Sequence, residues 1–367
     1  MAAVDGPSDA FYRSVLASLP PVEFAVAYGS GVIAQEDAPH PSAAAEIAAV
    51  RPMPRARQSK MVDFLLAVSD ARAWHAANLR TNGAHYSALG WLGARAVVSV
   101  QCSRFGAGVY FNTLVPHAAA PPGGVGTEVR LIKYGVISTE RLRADLLGWE
   151  ALYVSGRLHK PVRTLVECAD LRPALDANLR AAVAAALLLL PARFSERELH
   201  CALAALSYAG DVRMGLAEDP RKVERIVAGA QGAFRTLYAE PLASAAPDVL
   251  QRGPTGEWAQ RIDAATTASR LRGLPARVRA HVVAAVATRA ADFAPARTER
   301  GAAAAPPSVD AVAALAPREA VQGALRAHLA STVRRASATQ SLKGVLTAGA
   351  VKSAVYVARK LAKGRLS

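Results

Sequence analysis

At 367 residues with 52% apolar side chains, the chain is long enough to bury a full core and to form more than one domain, which excludes a fibrous or disordered protein. A formal charge of +15, 44 basic against 29 acidic residues, favours an anionic partner such as nucleotide, nucleic acid or acidic lipid, without choosing among them. Cys102, Cys168 and Cys201 fit neither a disulfide framework nor a metal spacing and read as reduced, buried thiols; the longest apolar run, Ala181 to Leu190, is about half the roughly 20 residues of a membrane span.

In chain order, "FYRSVLASLP" predicts a first helix and "EFAVAYGSG" a strand that breaks at a Gly-Ser-Gly corner. Ahead of them, Asp5 and Asp9 sit in a stretch without the arginine-rich, acid-poor character of a transit peptide, so no targeting signal is visible there. Residues 35–60, with Pro39, Pro41, Pro52 and Pro54 and no clear period, read as an inserted surface loop. The chain re-enters as the strand "KMVDFLLAVSD", then a helix around "ARAWHAANLR", a strand at "AVVSVQC", the glycine-bearing "FGAGVYFNTLV", a disordered-looking "PHAAAPPGGVGTE" and the strand "VRLIKYGVIS". This alternation to about residue 150 describes a mixed α/β layer.

Beyond it the pattern turns helical. "LRPALDANLRAAVAAALLLLP" has helical spacing, "FSERELHCALAALSYAG" opens with Ser195 and Glu198 at capping-box spacing, and "PRKVERIVAGAQGAFRTLYAE" follows. Residues 293–308 form a low-complexity linker. From Ser331 to the end there is no acidic residue, and "VLTAGAVKSAVYVARKLAKGRL" places Val351, Val355, Ala358 and Leu361 on one side of a basic amphipathic helix.

The corner at Gly29, Ser30 and Gly31 suits close approach of backbone N–H groups to a phosphate, because glycine has no Cβ and tolerates positive φ; a plain strand-to-helix turn would use the same residues. Asp63, opening the next strong strand, adds the carboxylate that metal-dependent nucleotidyl transfer needs, and reads equally as a strand-edge carboxylate in solvent or in an ion pair. His75 and His85 read as core or helix-face histidines. Tyr110 and Asn112 remain candidates beside the second glycine segment, which packing or a β-bulge would also explain.

"AYGSGV", "MVDFLLAVSDARAWHAANL", "HYSALG", "FGAGVYFNTLV", "LIKYGVIS", "DLLGWEALYVSGRLHKPV", "FSERELHCALAALSYAGDVRMGLAEDPRKV" and "QSLKGVLTAG", in that order, closely resemble the mitochondrial translocator assembly and maintenance family of phosphatidate cytidylyltransferases. The resemblance implies a polymerase-β-like nucleotidyltransferase domain over 1–165, a helical winged-helix-like domain over 166–292, a linker and return segment over 293–330, and a membrane-binding tail over 331–367. It implies the reaction of CTP with phosphatidate to give CDP-diacylglycerol and diphosphate, with Mg²⁺ as cofactor, feeding cardiolipin and phosphatidylglycerol synthesis.

By position, Gly29 and Ser30 match the family's nucleotide-binding corner and Asp63 its metal carboxylate. Lys133 matches the lysine of its "IKYG" strand, and Ser207, Tyr208, Asp211 and Arg213 its "SYSGD.R" segment. Lys133, Arg157, Lys160 and Arg213 are the cations suited to bring a dianion up to a triphosphate. The usual second carboxylate, two residues after the first, is here Leu65, with Asp70 the nearest acid downstream. Lys352, Arg359, Lys360 and Lys363 would hold the tail against an anionic membrane surface, on the matrix side of the mitochondrial inner membrane, as a peripheral protein. Nucleic acid is not an expected partner, because the cations are dispersed; another nucleotidyltransferase or a winged-helix nucleic-acid binder is the alternative.

Overall fold

The computed structural model describes residues 7–33, 60–103, 106–119, 128–212, 221–252, 257–288 and 307–348. Five strands, β1 (Phe24–Tyr28), β2 (Val62–Val68), β3 (Tyr110–Ala119), β4 (Glu128–Ser138) and β5 (Arg163–Val166), form one sheet in the order β3-β4-β2-β1-β5. β2 and β4 run parallel and the other pairs antiparallel. β1 is buried along its whole length, as expected for a strand covered on both faces.

One face, carrying Ala25, Ala27, Phe64, Leu66 and Tyr134, packs against α1 (Asp9–Ala17) and α2 (Ala71–Asn82) through Phe11, Val15 and Trp74. Beside α2 lies α3 (Gly93–Gln101). The other face, carrying Val26, Tyr28, Leu65 and Ala67, packs against α4 (Thr139–Gly148) and the start of α5 (Arg172–Leu189) through Leu142, Leu146 and Ala174.

The rest of α5 enters a second, larger core with α6 (Glu196–Ala205), α7 (Lys222–Ala245), α8 (Ala264–Gly273), α9 (Ala276–Ala287), α10 (Val309–Leu315) and α11 (Arg318–Ala348). β6 (Arg193–Phe194), β7 (Leu250–Arg252) and β8 (Glu257–Ala259) add a small sheet ordered β6-β8-β7. The Ser195–Glu198 capping box opens α6 as its spacing predicts. The chain is thus a mixed α/β layer followed by a largely helical half, with α5 common to both cores.

Three expectations are corrected. "AVVSVQC" is helical: Val97 and Gln101, one helical turn apart, face the interior, so one-sided packing overrides the strand preference of its valines. The cysteines are free, but Cys102 is exposed and Cys168 and Cys201 only half-buried. The tail drawn from residue 331 begins in the middle of α11, where Val333, Ala336, Ser337, Gln340, Lys343 and Thr347 recur at helical spacing and are buried, so residues 331–348 belong to the packed body. The insert up to residue 59, Arg213, most of the 293–308 linker, and Lys352, Arg359, Lys360 and Lys363 lie outside the described residues.

Candidate active site

The corner after β1 takes its shape from two glycines. Gly29 has φ +84° and its carbonyl accepts from both Val32 N and Ile33 N, closing a tight turn. A Cβ on Gly31 would lie 2.4 Å from the Met61 carbonyl oxygen, so the turn seats against the chain entering β2 only without a side chain there. Ser30 stands half-buried between them.

Register brings the charged residues to this turn. Tyr28 pairs with Asp63 across β1 and β2, and Asp63 with Lys133 across β2 and β4. Lys133 Nζ lies 3.7 Å from Asp63 Oδ1 and 4.5 Å above the Phe111 ring, while a Cβ on Gly29 would come within 3.2 Å of Asp63 Oδ2. Gly29, Asp63 and Lys133 therefore converge, and the ion-pair alternative for Asp63 is realised at the glycine corner itself.

The adjoining wall is the loop after α4, and one buried carboxylate organises it. Asp145 Oδ1 accepts from the Ala151 and Leu152 amides, and Oδ2 from the Val154 and Ser155 amides and the Ser155 hydroxyl. Asn178 on α5 accepts from Trp149 Nε1 and donates to the Ser155 carbonyl, and Tyr238 on α7 donates to the His159 carbonyl. Held this way, the loop presents Tyr153, Arg157 and Lys160. The Arg157 guanidinium lies 4.8 Å from both the Tyr28 and the Tyr153 rings, which links this wall to the end of β1.

Beyond Arg157 opens a cleft lined by Tyr153, Lys160, Ser207, Tyr208, Asp211 and Ser337. Lys160 Nζ donates to the Gly156 carbonyl at 2.5 Å and to Ser207 Oγ at 2.7 Å, and sits 4.9 Å from the Tyr208 ring centroid. Burial pushes the Lys160 ammonium well below the usual lysine range, and the charges of Arg157 and Lys222 push the same way. Burial likewise raises the Tyr28 phenol to about 12. The far wall is clamped by α11: Ser337 Oγ accepts from the Val212 amide, and Gly210, at φ +74°, would place a Cβ 2.5 Å from the Ala330 carbonyl.

Of the residues expected at a site, the structure gathers Gly29, Ser30, Asp63 and Lys133 at the corner, and Lys160, Ser207, Tyr208 and Asp211 in the cleft. Leu65 shares the face of Asp63 and is a core residue; Asp70 accepts from the Arg72 and Ala73 amides as the N-cap of α2. Among the described residues, no group of three or more His, Cys, Asp or Glu side chains converges. His75 is buried between Tyr86 Oη and Gln101 Oε1, and His85 contacts Tyr134 Oη, on the face away from Asp63. Tyr110 and Asn112 are buried. Sequence reasoning missed Tyr28, Tyr153 and Asp145; the only signal for Asp145 was an acid followed by the hydrogen-bond-hungry turn "GWEALYVSG".

The fold and site define a mixed α/β protein in which Arg157 and Lys160 line a cleft between the loop after α4 and the helical half. The family described as "Phosphatidate cytidylyltransferase, mitochondrial" matches residues 12–363, and the chain belongs to it. Relatives carrying that name include those of Danio rerio, 38% identical over 97% of this chain and 95% of theirs, and Mus musculus, 38% identical over 96% and 93%. The Drosophila melanogaster relative of the same name is 37% identical over 96% of this chain and 98% of its own.

Proposed function

We propose that the chain transfers the cytidylyl group of CTP to phosphatidate, giving CDP-diacylglycerol and diphosphate, on a polymerase-β-like nucleotidyltransferase half completed by a winged-helix-like half. The observation that carries the reading is the convergence of Asp63 and Lys133 on the Gly29 turn, with Arg157 joining that turn to the Lys160–Ser207 cleft. Family membership supports the choice of nucleotide and lipid, and the convergence of these side chains supports the corner and cleft as where they bind.

A phosphate monoester has a second pKa near about 6, so phosphatidate presents an ionised oxygen to the α-phosphorus of CTP without a general base. The obstacle is repulsion between two polyanions, and the site answers with positioned cations. Lys133 and Arg157 line the approach on aromatic supports, and Lys160 with Ser207 offers donors deeper in the cleft. Diphosphate leaves as the P–O bond to the incoming lipid phosphate forms.

The donor set fits Mg²⁺ held jointly with substrate: one carboxylate, Asp63, with Oδ2 toward the Gly29 turn, suits an ion that takes one or two carboxylates plus phosphate oxygens and water. When bound, Mg²⁺ neutralises phosphate charge and fixes phosphate orientation. Asp63 would hold it, and the core position of Leu65 supplies no second carboxylate.

Among the described residues no helix is long and apolar enough to cross a membrane. We place the protein peripherally on the matrix side of the mitochondrial inner membrane, with Lys352, Arg359, Lys360 and Lys363 against anionic headgroups, its product feeding cardiolipin and phosphatidylglycerol synthesis. The test is conversion of radiolabelled CTP and phosphatidate to labelled CDP-diacylglycerol by the purified chain with Mg²⁺, and its loss with chelator. No lipid product from CTP under any divalent cation would overturn the reading.

A further inference from the structure

Trp91 and Leu92 are 90% and 71% exposed, and the next most exposed large apolar residues, Leu342 at 63% and Val129 at 61%, each lack such a neighbour in the sequence. Single exposed apolar side chains are ordinary; an adjacent Trp-Leu pair in full solvent is not. The pair ends the short 3₁₀ turn Ala88–Leu92, and the turn beneath it is firmly seated. Ser87 caps it through the Leu89 amide, Leu89 packs on the cluster of Tyr86, Val97 and Tyr110, and a Cβ on Gly90 would come 2.8 Å from Tyr86 Cβ. The backbone is thus anchored while both large side chains point outward. Gly93, at φ +79°, then turns the chain into α3.

The chain that carries this tip is basic. Between Asp70 and Glu128 the sequence has no Asp or Glu, and Arg80 in the last turn of α2 and Arg95 in the first turn of α3 are exposed on either side of the turn. Indole at the end of a rigid turn, with leucine beside it and an arginine on the helix at either side, matches the headgroup layer of an anionic bilayer, where aromatic rings sit at the interface and cations meet lipid phosphates.

The geometry points to the Trp91–Leu92 tip as a membrane anchor, separate from the C-terminal tail, that inserts into the interfacial layer of a bilayer carrying anionic lipid. It rests on the reading that the substrate is a membrane lipid, but its test reads insertion rather than turnover. The full-length protein is mixed with phosphatidylcholine vesicles with and without phosphatidate, some carrying brominated acyl chains.

Trp74 and Trp149 are buried and Trp258 partly so, which leaves Trp91 as the fluorophore that bromine would reach among them. Expected are a blue-shifted emission and quenching by brominated chains on phosphatidate-bearing vesicles, both lost in Trp91→Phe, which still floats with the vesicles. Trp91→Ser/Leu92→Ser should lower vesicle partitioning about tenfold or more, as removal of two large apolar groups from an apolar layer implies. Turnover of a short-chain, water-soluble phosphatidate should be unchanged. Absence of bromine quenching, or equal flotation of parent and double-serine variant, overturns the anchor. So does a double variant that changes only self-association, which would make the tip a contact between copies. Quenching without any cytidylyl transfer would leave the anchor standing and remove the enzymatic reading instead.

Discussion

The two carboxylate oxygens of Asp63 face different neighbours: Oδ1 lies 3.7 Å from Lys133 Nζ on the adjacent parallel strand, and Oδ2 faces the empty Cβ position of Gly29. The ion pair fixes the carboxylate's orientation while leaving its second oxygen toward the phosphate corner. A partly exposed pair contributes little to stability, on the order of 0–1 kcal/mol, so substitution here should act on catalysis rather than on folding.

Asp63→Asn should lower turnover by about 100-fold or more while shifting the melting temperature little, and Lys133→Met should do the same. Initial rates and thermal melts of the purified variants decide it. Full activity in either variant would remove that residue from the chemistry.

Lys160 predicts a proton uptake. Its folded pKa is depressed, so the unfolded chain binds the proton more readily, and the free protein gains stability as pH rises from the depressed value toward the unfolded value near 10.5. A triphosphate in the cleft favours the ammonium, so CTP binding should take up a proton in the pH range between the depressed and the unfolded value. Calorimetry in buffers of different ionisation enthalpy measures it, and Lys160→Met should abolish it. Uptake that persists in the variant assigns the proton elsewhere.

Gly156 faces Ser207 so closely that a Cβ would lie 2.3 Å from the serine Cβ and 2.6 Å from the Leu152 carbonyl. Gly156→Ala should therefore force the loop from the helical wall, costing about 1–3 kcal/mol and raising KM for CTP. Ser207→Gly in the same chain should recover only part of the loss, because the contact with the Leu152 carbonyl remains. A single variant as stable as the parent contradicts the packing described.

Asp145 accepts five hydrogen bonds with two oxygens, so Asp145→Asn turns an NH₂ toward buried donors. The expected loss is about 2–4 kcal/mol, with activity falling as the Tyr153–Lys160 loop loosens. Denaturant titration and protease sensitivity of residues 149–160 report it.

Acid should destabilise the protein through His75, which burial holds down to about 4 despite its hydrogen bond to Gln101. A depressed base contributes stability that is complete above its unfolded value near 6.5 and lost as pH falls toward 4, about 3 kcal/mol for this residue. Denaturation midpoints should fall over that window, and less steeply in His75→Gln. Equal slopes would place the acid sensitivity on other groups.

The sheet strands were legible because runs such as "MVDFLLAV" and "VRLIKYGVIS" are long, apolar and bounded, and the corner because two glycines and a serine after an apolar run mark a tight turn. α3 was not, since its valines carry the strand preference and only packing reveals that Val97 and Gln101 share a face. The Arg157 wall was hidden for a different reason. Tyr28 and Tyr153 are 125 positions apart, and no local pattern says that one guanidinium lies between them. Likewise, the second half of α11 looked like the start of a tail because, after Val333, its buried positions are Ala, Ser, Gln, Lys and Thr, residues whose burial depends on partners supplied elsewhere.

Gln340 accepts from the Ala107 amide and donates to the Val109 carbonyl, and Lys343 donates to the Gln101 carbonyl, across 233, 231 and 242 positions of sequence. These contacts cannot form on a nascent chain until α11, more than 200 positions further on, has left the ribosome. The edge of the sheet entering β3 must wait, with its backbone groups open, for that later helix. Interactions of such long sequence separation slow folding and lengthen the exposure of unpaired strand edges to neighbouring chains. A nonsense mutation shortly before codon 340 would thus yield not a membrane-detached enzyme but a chain dependent on chaperones from its first minute.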